Sequence, residues 1–184
     1  AFGVDASHRV LQFASFSFDA SVSECFMALT CGASLYLGTP DQLRPGPDLI
    51  RWLREHEISI ATLPPSALRD LAEDSLPLLQ SLVVAGEPCP RELVWRWSTA
   101  RRFFNAYGPT EVTYGSTAYI FEQARDEKAE VPIGKAFPNY ETYVVDPYLQ
   151  LLPCGVAGEI IIGGTGLSRG YINQPDLTAQ KFVP

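Results

Sequence analysis

The sequence lacks the long apolar run of about 18 residues that a membrane-spanning helix requires. It also lacks a basic cluster: 14 Lys and Arg stand against 21 Asp and Glu, a formal charge of −7. An acidic chain without a basic stripe is a poor fit to a nucleic-acid backbone, so no nucleic-acid partner and no membrane is expected. No basic-then-apolar leader opens the sequence, and a cytoplasmic location is expected. Histidine is scarce, with only His8 and His56. The four cysteines (Cys25, Cys31, Cys89, Cys154) form no C-x-x-C pair. That excludes the usual zinc spacings and favours reduced thiols. A Ser-His-Asp triad has almost no histidine to draw on.

What is present is a globular composition, 46% hydrophobic and 11% aromatic over 184 residues. Short apolar runs recur at Val10–Ala14, Ser34–Leu37, Ile58–Leu63, Leu82–Ala85 and Phe103–Ala106. Helical signals lie between them. Ser21-Val22-Ser23-Glu24 has capping-box spacing and opens a helix that stops at Gly32. Leu49, Trp52, Leu53 and His56 follow Pro47-Asp48 at helical spacing. Pro65-Ser66 and Pro90-Arg91-Glu92 open two further short helices. Apolar strands alternating with helices predict a parallel sheet covered on both faces. A leucine-rich solenoid has a similar period of about 24 residues, but its L-x-x-L-x-L pattern is missing.

From Val131 onward the pattern changes. Glu141–Val145 and Gly158–Ile162 read as strands separated by turns, with no helix between them. The fold expected is α/β: a flavodoxin-like parallel sheet with helices on both faces, followed by a small antiparallel β appendage. Residues 1–130 form the α/β substrate-binding subdomain in this reading, and 131–184 the β-rich appendage and tail. A short helical signal at Asp176–Phe182 ends the chain in mid-pattern, as if cut from something longer.

Chemistry-bearing residues gather in three stretches. In Phe18-Asp19-Ala20-Ser21, Asp19 falls at the carboxyl end of the first strand, where α/β sheets bind ligands. Its carboxylate could hold an ammonium group. On spacing alone, helix capping by Asp19 or Ser21 is the plainer reading. The second stretch, Asn105-Ala106-Tyr107-Gly108-Pro109-Thr110-Glu111, follows the fifth strand. An amide can read a purine edge, a ring can stack on it, and a carboxylate can hold Mg²⁺. A Gly-Pro turn with Thr110 as a cap fits equally. The third, Gly163–Gly170, has G-x-G-x-x-x-G spacing with no helix directly after it, so it reads as a turn-rich hairpin and not a dinucleotide loop. Gly134-Lys135 is followed by Ala136 and is no phosphate-binding P-loop. Gly86-Glu87-Pro88 is a further ligand-edge loop, after the fourth strand.

Taken in order, Phe18–Ser21, Asn105–Glu111 and Gly158–Tyr171 closely resemble the amino-acid adenylation domains of nonribosomal peptide synthetases, over nearly the whole chain. The resemblance implies activation of an amino acid with ATP to aminoacyl-AMP, with Mg²⁺, and transfer to a phosphopantetheine thiol on a neighbouring carrier domain. None of these groups is covalently bound to this chain. Asp19 would pair with the substrate ammonium, which overturns the capping preference. Tyr107 would stack on adenine, Asn105 would reach its amino edge, and Gly86, Glu87, Pro88 and Gly108 would line the adenine slot. Thr110 would contact the α-phosphate and Glu111 would hold Mg²⁺. The substrate side chain would meet Ala20, Ser23, Thr62, Val83, Ala85, Ala106, Tyr114 and Gly115. These residues are mostly small and none is charged, so an aromatic substrate, Tyr or Phe, is expected.

The family's phosphate loop, its Tyr-x-x-Gly-Asp region and its C-terminal subdomain with a catalytic lysine are absent from the sequence. The chain is therefore expected to be inactive alone. Its partners would be the remaining adenylation subdomains and the carrier and condensation domains. Two rival readings are an acyl- or aryl-CoA synthetase fragment, which has no ammonium for Asp19 to pair with, and a non-catalytic interaction module.

Overall fold

The computed structural model describes residues 2–72, 76–122 and 130–183. Strands β1 (Arg9–Gln12), β2 (Ser34–Leu37), β3 (Ile60–Leu63), β4 (Ser81–Val84) and β5 (Arg102–Tyr107) run parallel. Strands β6 (Thr117–Phe121) and β7 (Lys135–Ala136) extend the sheet antiparallel. The spatial order is β2-β1-β3-β4-β5-β6-β7. The first five strands thus follow the doubly wound flavodoxin order, and the direction of winding reverses between β1 and β3. Strands β8 (Tyr140–Val145) and β9 (Glu159–Gly164) form a separate antiparallel ribbon. The expected α/β architecture with its antiparallel appendage is the one observed. β6 is an addition to the strands expected, although Ala118–Phe121 is a short apolar run.

The period of two in the strands builds cores on both faces. Leu11, Ala61, Leu63, Leu82, Val84 and Phe103 face one side. There they meet α2 (Pro47–Glu55), α3 (Pro65–Arg69) and α4 (Arg91–Ser98) through Leu49, Trp52, Leu53, Leu68, Val94 and Trp97. Val10 and Ile60 face the other side and pack on Ala28 of α1 (Ala20–Leu29). Val83, Phe104 and Ala106 complete that second face, with Phe2 edge-on to Phe104. All residues of β3 and β4 are buried, as expected of central parallel strands covered on both sides. A last helix, α5 (Pro175–Lys181), follows the ribbon.

One local expectation is corrected. Ser21 and Glu24 do not form a capping box. Helix α1 already begins at Ala20, so Ser21 lies inside it, and the Ser21 hydroxyl donates to the Phe18 carbonyl at 2.7 Å. Glu24 turns inward and is fully buried. The N-cap position falls to Asp19, but its side chain makes no capping hydrogen bond. Its carboxylate is therefore not consumed by the helix end.

Candidate active site

A cavity of about 410 Å³ opens at the carboxyl ends of β1 and β3, at the point where the sheet winding reverses. Phe13, Ala14, Ser15, Phe18, Asp19 and Ala20 form one wall, and Glu24 reaches it from the second turn of α1. Thr62, Leu63 and Pro64 come from the end of β3, Ala85, Gly86 and Glu87 from the loop after β4, and Tyr114 closes the far side. Of the expected substrate contacts, Asp19, Ala20, Thr62, Ala85 and Tyr114 line this space. Ser23 is half-buried on α1, and Val83 is buried beside Phe104 on the sheet face. Gly115 is half-buried against the Phe137 ring.

The wall formed by Ala85, Gly86 and Glu87 is shared with a second, larger cavity of about 810 Å³. All of Gly86, Glu87, Pro88, Asn105, Tyr107 and Gly108 line it, and so does Ala106. Arg91, Glu130, Val131 and Ile133 add to its rim without any signal in the motif reading. Asn105 is buried, and its Nδ2 donates to the Pro132 carbonyl at 2.9 Å. That leaves Oδ1, an acceptor, as the half of the amide still available. Gly108 is needed for close approach: a Cβ there would meet the Tyr114 carbonyl at 2.5 Å and the Gly115 Cα at 2.7 Å.

The chain after Gly108 bends sharply. A 3-10 turn spans Thr110–Val112, and Thr113 and Tyr114 follow with φ of 60° and 73°. Successive left-handed non-glycine residues are strained, and such strain clusters where a side chain must be aimed. Here it brings Tyr114 back over the first cavity. The Tyr114 hydroxyl is buried with no hydrogen-bond partner among the described residues. Burial, and then the Glu24 and Asp19 carboxylates, push its pKa well above the usual phenol value.

Glu111 lines a third cavity of about 400 Å³, with Tyr107 at one end and Tyr171 and Lys181 at the other. The Tyr171 hydroxyl donates to the Glu111 carboxylate. This bond, more than any other influence, holds the Glu111 pKa below the usual carboxylate value. An ionised, half-exposed carboxylate suits a magnesium ion that keeps its waters and is shared with phosphate oxygens. Thr110 is exposed beside it. No cluster of three or more His, Cys, Asp or Glu able to hold a metal by itself occurs among the described residues. The Gly163–Gly170 stretch finishes β9 and then docks on this turn. The Thr113 hydroxyl donates to the Gly166 carbonyl at 2.7 Å, and the Ser168 N–H to the Glu111 carbonyl at 2.7 Å.

Glu24 is the site residue the sequence reading missed. Its carboxylate accepts hydrogen bonds from the Gln12 amide and from the Phe13 and Ala14 N–H groups, each at 3.1 Å. Desolvation outweighs these bonds and lifts its pKa to about 7. A sequence signal existed, since Glu24 is a charge at the head of the apolar run Cys25–Leu29. The capping-box spacing concealed it.

The AMP-binding enzyme family matches residues 1–172. The chain is 46% identical over 180 residues to bacitracin synthase 3 of Bacillus licheniformis, covering 98% of this chain and 3% of that protein. It superposes on the Vibrio cholerae adenylation domain AlmE, solved with glycyl-adenosine-5'-phosphate, with a TM-score of 0.87 and 28% identity, covering 97% of this chain and 36% of that one. An artificially fused adenylation-PCP di-domain, NpsA-ThdA from Klebsiella oxytoca, superposes with a TM-score of 0.85 and 30% identity, covering 99% of this chain and 35% of that one. The chain thus spans a small part of the synthase and about a third of each solved chain. With that match over residues 1–172, the chain belongs to the AMP-binding enzyme family, in which it is similar to the adenylation domains of nonribosomal peptide synthetases.

Proposed function

We propose that the chain supplies the amino-acid pocket and the adenine slot of an enzyme that activates an amino acid as its adenylate. The observation that carries this is the shared wall Ala85–Glu87, which sets a carboxylate-bearing cavity directly against an amide- and tyrosine-lined slot. An amino acid in the first cavity, with its ammonium on Asp19, turns its own carboxylate toward the second. Adenine in the slot stacks on Tyr107. Its exocyclic amine donates to Asn105 Oδ1, the position where a guanine carbonyl would be repelled. An amino-acid carboxylate oxygen then attacks the α-phosphorus of ATP. The new P–O bond forms as the α–β phosphoanhydride breaks, and pyrophosphate leaves with the electron pair.

Thr110 contacts the α-phosphate in this reading, and Glu111 holds Mg²⁺. The ion's part is to neutralise the phosphate oxygens as charge develops. The side chain of the substrate fills the space bounded by Ala20, Thr62, Ala85 and Tyr114, with Ser23, Val83, Ala106 and Gly115 behind or beside it. The walls carry no cation, and the carboxylates other than Asp19 are engaged, Glu24 by the Phe13 and Ala14 N–H groups and Glu87 by Ser66, which favours an uncharged aromatic residue, Tyr or Phe. The adenylate is then attacked by a phosphopantetheine thiol on a carrier domain, which forms the thioester and releases AMP. The phosphate loop and catalytic lysine expected of the family would lie in the rest of a longer protein, beside its carrier and condensation domains.

The test is the thermal midpoint of the chain against non-hydrolysable aminoacyl-adenylate analogues, since a ligand that binds only the folded state raises it. The tyrosyl and phenylalanyl analogues should raise it most. Asp19→Ala should weaken that binding by about 100-fold, because the ligand ammonium loses the carboxylate that pairs with it. If analogues lacking the amino group bind as tightly as those carrying it, the amino-acid reading is wrong.

A further inference from the structure

We infer that Glu24 is a positioning residue for the amino-acid half of the site. Its carboxylate gathers the Phe13 and Ala14 N–H groups and the Gln12 amide, and so fixes the loop between β1 and α1 that carries Asp19. The part of this that concerns the amino acid rests on the function proposed above; the clamp itself does not.

Strand β1 ends at Gln12, so the next N–H groups leave the ladder of the sheet. Buried or half-buried N–H groups without a partner are costly, and something must accept from them. Glu24 does so with both oxygens. Phe13 donates to Oε2 at 3.1 Å, and Ala14 donates to Oε2 at 3.1 Å and Oε1 at 3.3 Å. Beyond Ala14 the loop turns outward: Phe16 is 72% exposed and Phe18 67% exposed. Its remaining bonds are local, such as the Phe18 N–H to the Ser15 carbonyl at 2.8 Å. The loop is therefore held at two places, by Glu24 at its start and by the first turn of α1 at its end. Asp19 is the N-cap of the helix that carries Glu24, so the clamp fixes the distance between the helix start and the end of β1.

Charge argues that this is more than packing. Glu24 is fully buried, and the groups bonded to it are neutral donors. A buried carboxylate without a cation is expensive, and an apolar residue of similar size would cost less. What an apolar residue cannot do is accept from the Phe13 and Ala14 N–H groups and the Gln12 amide, which meet at this one carboxylate. The glutamate is explained if the position of residues 13–19 matters more than the stability it forfeits.

The experiment uses amino-acid-dependent ATP–pyrophosphate exchange by the intact protein that carries this chain. Glu24→Gln keeps the shape and one acceptor oxygen, but removes the charge and sets an NH₂ group where Oε1 accepts from Ala14. The KM for the amino acid should rise about tenfold, the loss expected for bonds to a charged acceptor, while the KM for ATP stays within about twofold. Glu24→Asp keeps the charge and should recover part of the loss. Parallel rises in both KM values, or no rise at all, overturn the proposal. A second measurement keeps the clamp separable from the function. In the 184-residue chain, hydrogen-exchange protection at Phe13 and Ala14 should fall about tenfold in Glu24→Gln while the protection of β3 and β4 is retained. Undiminished protection at Phe13 and Ala14 overturns the clamp whatever the enzyme does. If the wild-type protein shows no amino-acid-dependent exchange, the proposed function fails and the protection measurement alone decides the clamp.

Discussion

The two sheets are made of similar residues and live in different surroundings. In β3 and β4 all residues are buried, whereas in β8 and β9 Val145 alone is. β8 and β9 are as rich in Tyr, Val and Ile as any central strand, yet Tyr143, Val144 and Ile160 stand about 40% exposed. A two-stranded ribbon is marginal by itself. This one is held by polar bonds from its ends: the Tyr140 hydroxyl to the Val112 carbonyl at 2.8 Å, and the Ser168 N–H to the Glu111 carbonyl at 2.7 Å. Strand propensity makes both elements, but burial stabilises only the large sheet. The ribbon instead takes its position from the turn that bears Thr110 and Glu111.

The most direct way to break this comparison is to truncate one residue in each sheet. Phe103 is fully buried under the helix-covered face, and Phe103→Ala should cost about 3–5 kcal/mol in denaturant unfolding. Ile160→Ala, at a 39% exposed position of the ribbon, should cost at most about 1 kcal/mol. Comparable losses at the two positions would mean that the ribbon shares the core of the large sheet.

A second contrast lies between two carboxylates. Glu24, beside the large sheet, has its pKa lifted to about 7 by burial. Glu111, on the turn that holds the ribbon, has its pKa lowered by the Tyr171 hydroxyl. A carboxyl raised in the folded state binds its proton more tightly there than in the unfolded chain. The stability it contributes is fully present below about pH 4.5 and is lost as pH rises through about 7. A rise from 4.5 to about 7 corresponds to a swing of roughly 3 kcal/mol. The titratable groups sharing its cavity are Asp19, Glu87 and Tyr114. The thermal midpoint of the wild type should fall between about pH 5 and about pH 8, and Glu24→Gln should flatten that fall. An equal fall in both proteins would assign the effect to another group.

The sequence made the large sheet readable because its strands are continuous apolar runs spaced by helices. β6 escaped because only the 3-10 turn Thr110–Val112 separates it from β5, so its run Ala118–Phe121 falls outside the alternation of strands and helices. Asn105, Tyr107 and Gly108, which line the larger cavity, were readable as candidates because they belong to one contiguous stretch at a strand end. Asp19 was ambiguous on spacing, and its lack of a capping bond is a fact of geometry. Glu24 was misread because a two-residue shift in where α1 begins turns an N-cap serine into an interior one. Helix boundaries are the least legible feature of a sequence, and here the boundary decided whether a glutamate caps a helix or holds a loop.

The smallest expected effect probes how the ribbon is tied to the turn. Tyr171 follows the ribbon and donates to Glu111. Its phenol pKa is raised by the same bond that lowers the carboxylate's. Both groups border solvent, so little stability is at stake. What should move is titration. In Tyr171→Phe the Glu111 carboxylate loses a donor that favours its charged form, and its pKa should climb back toward the ordinary carboxylate value. Side-chain carboxyl NMR across the acid range reads this directly. The backbone bond from Ser168 to the Glu111 carbonyl remains, so the ribbon should stay docked and protection at Ser168 should change little. If Ser168 loses its protection together with the shift, the hydroxyl and not the backbone fixes the ribbon to the turn. If Glu111 titrates unchanged, the lowering comes from its own backbone bond and from Lys181, the other groups that favour its charge.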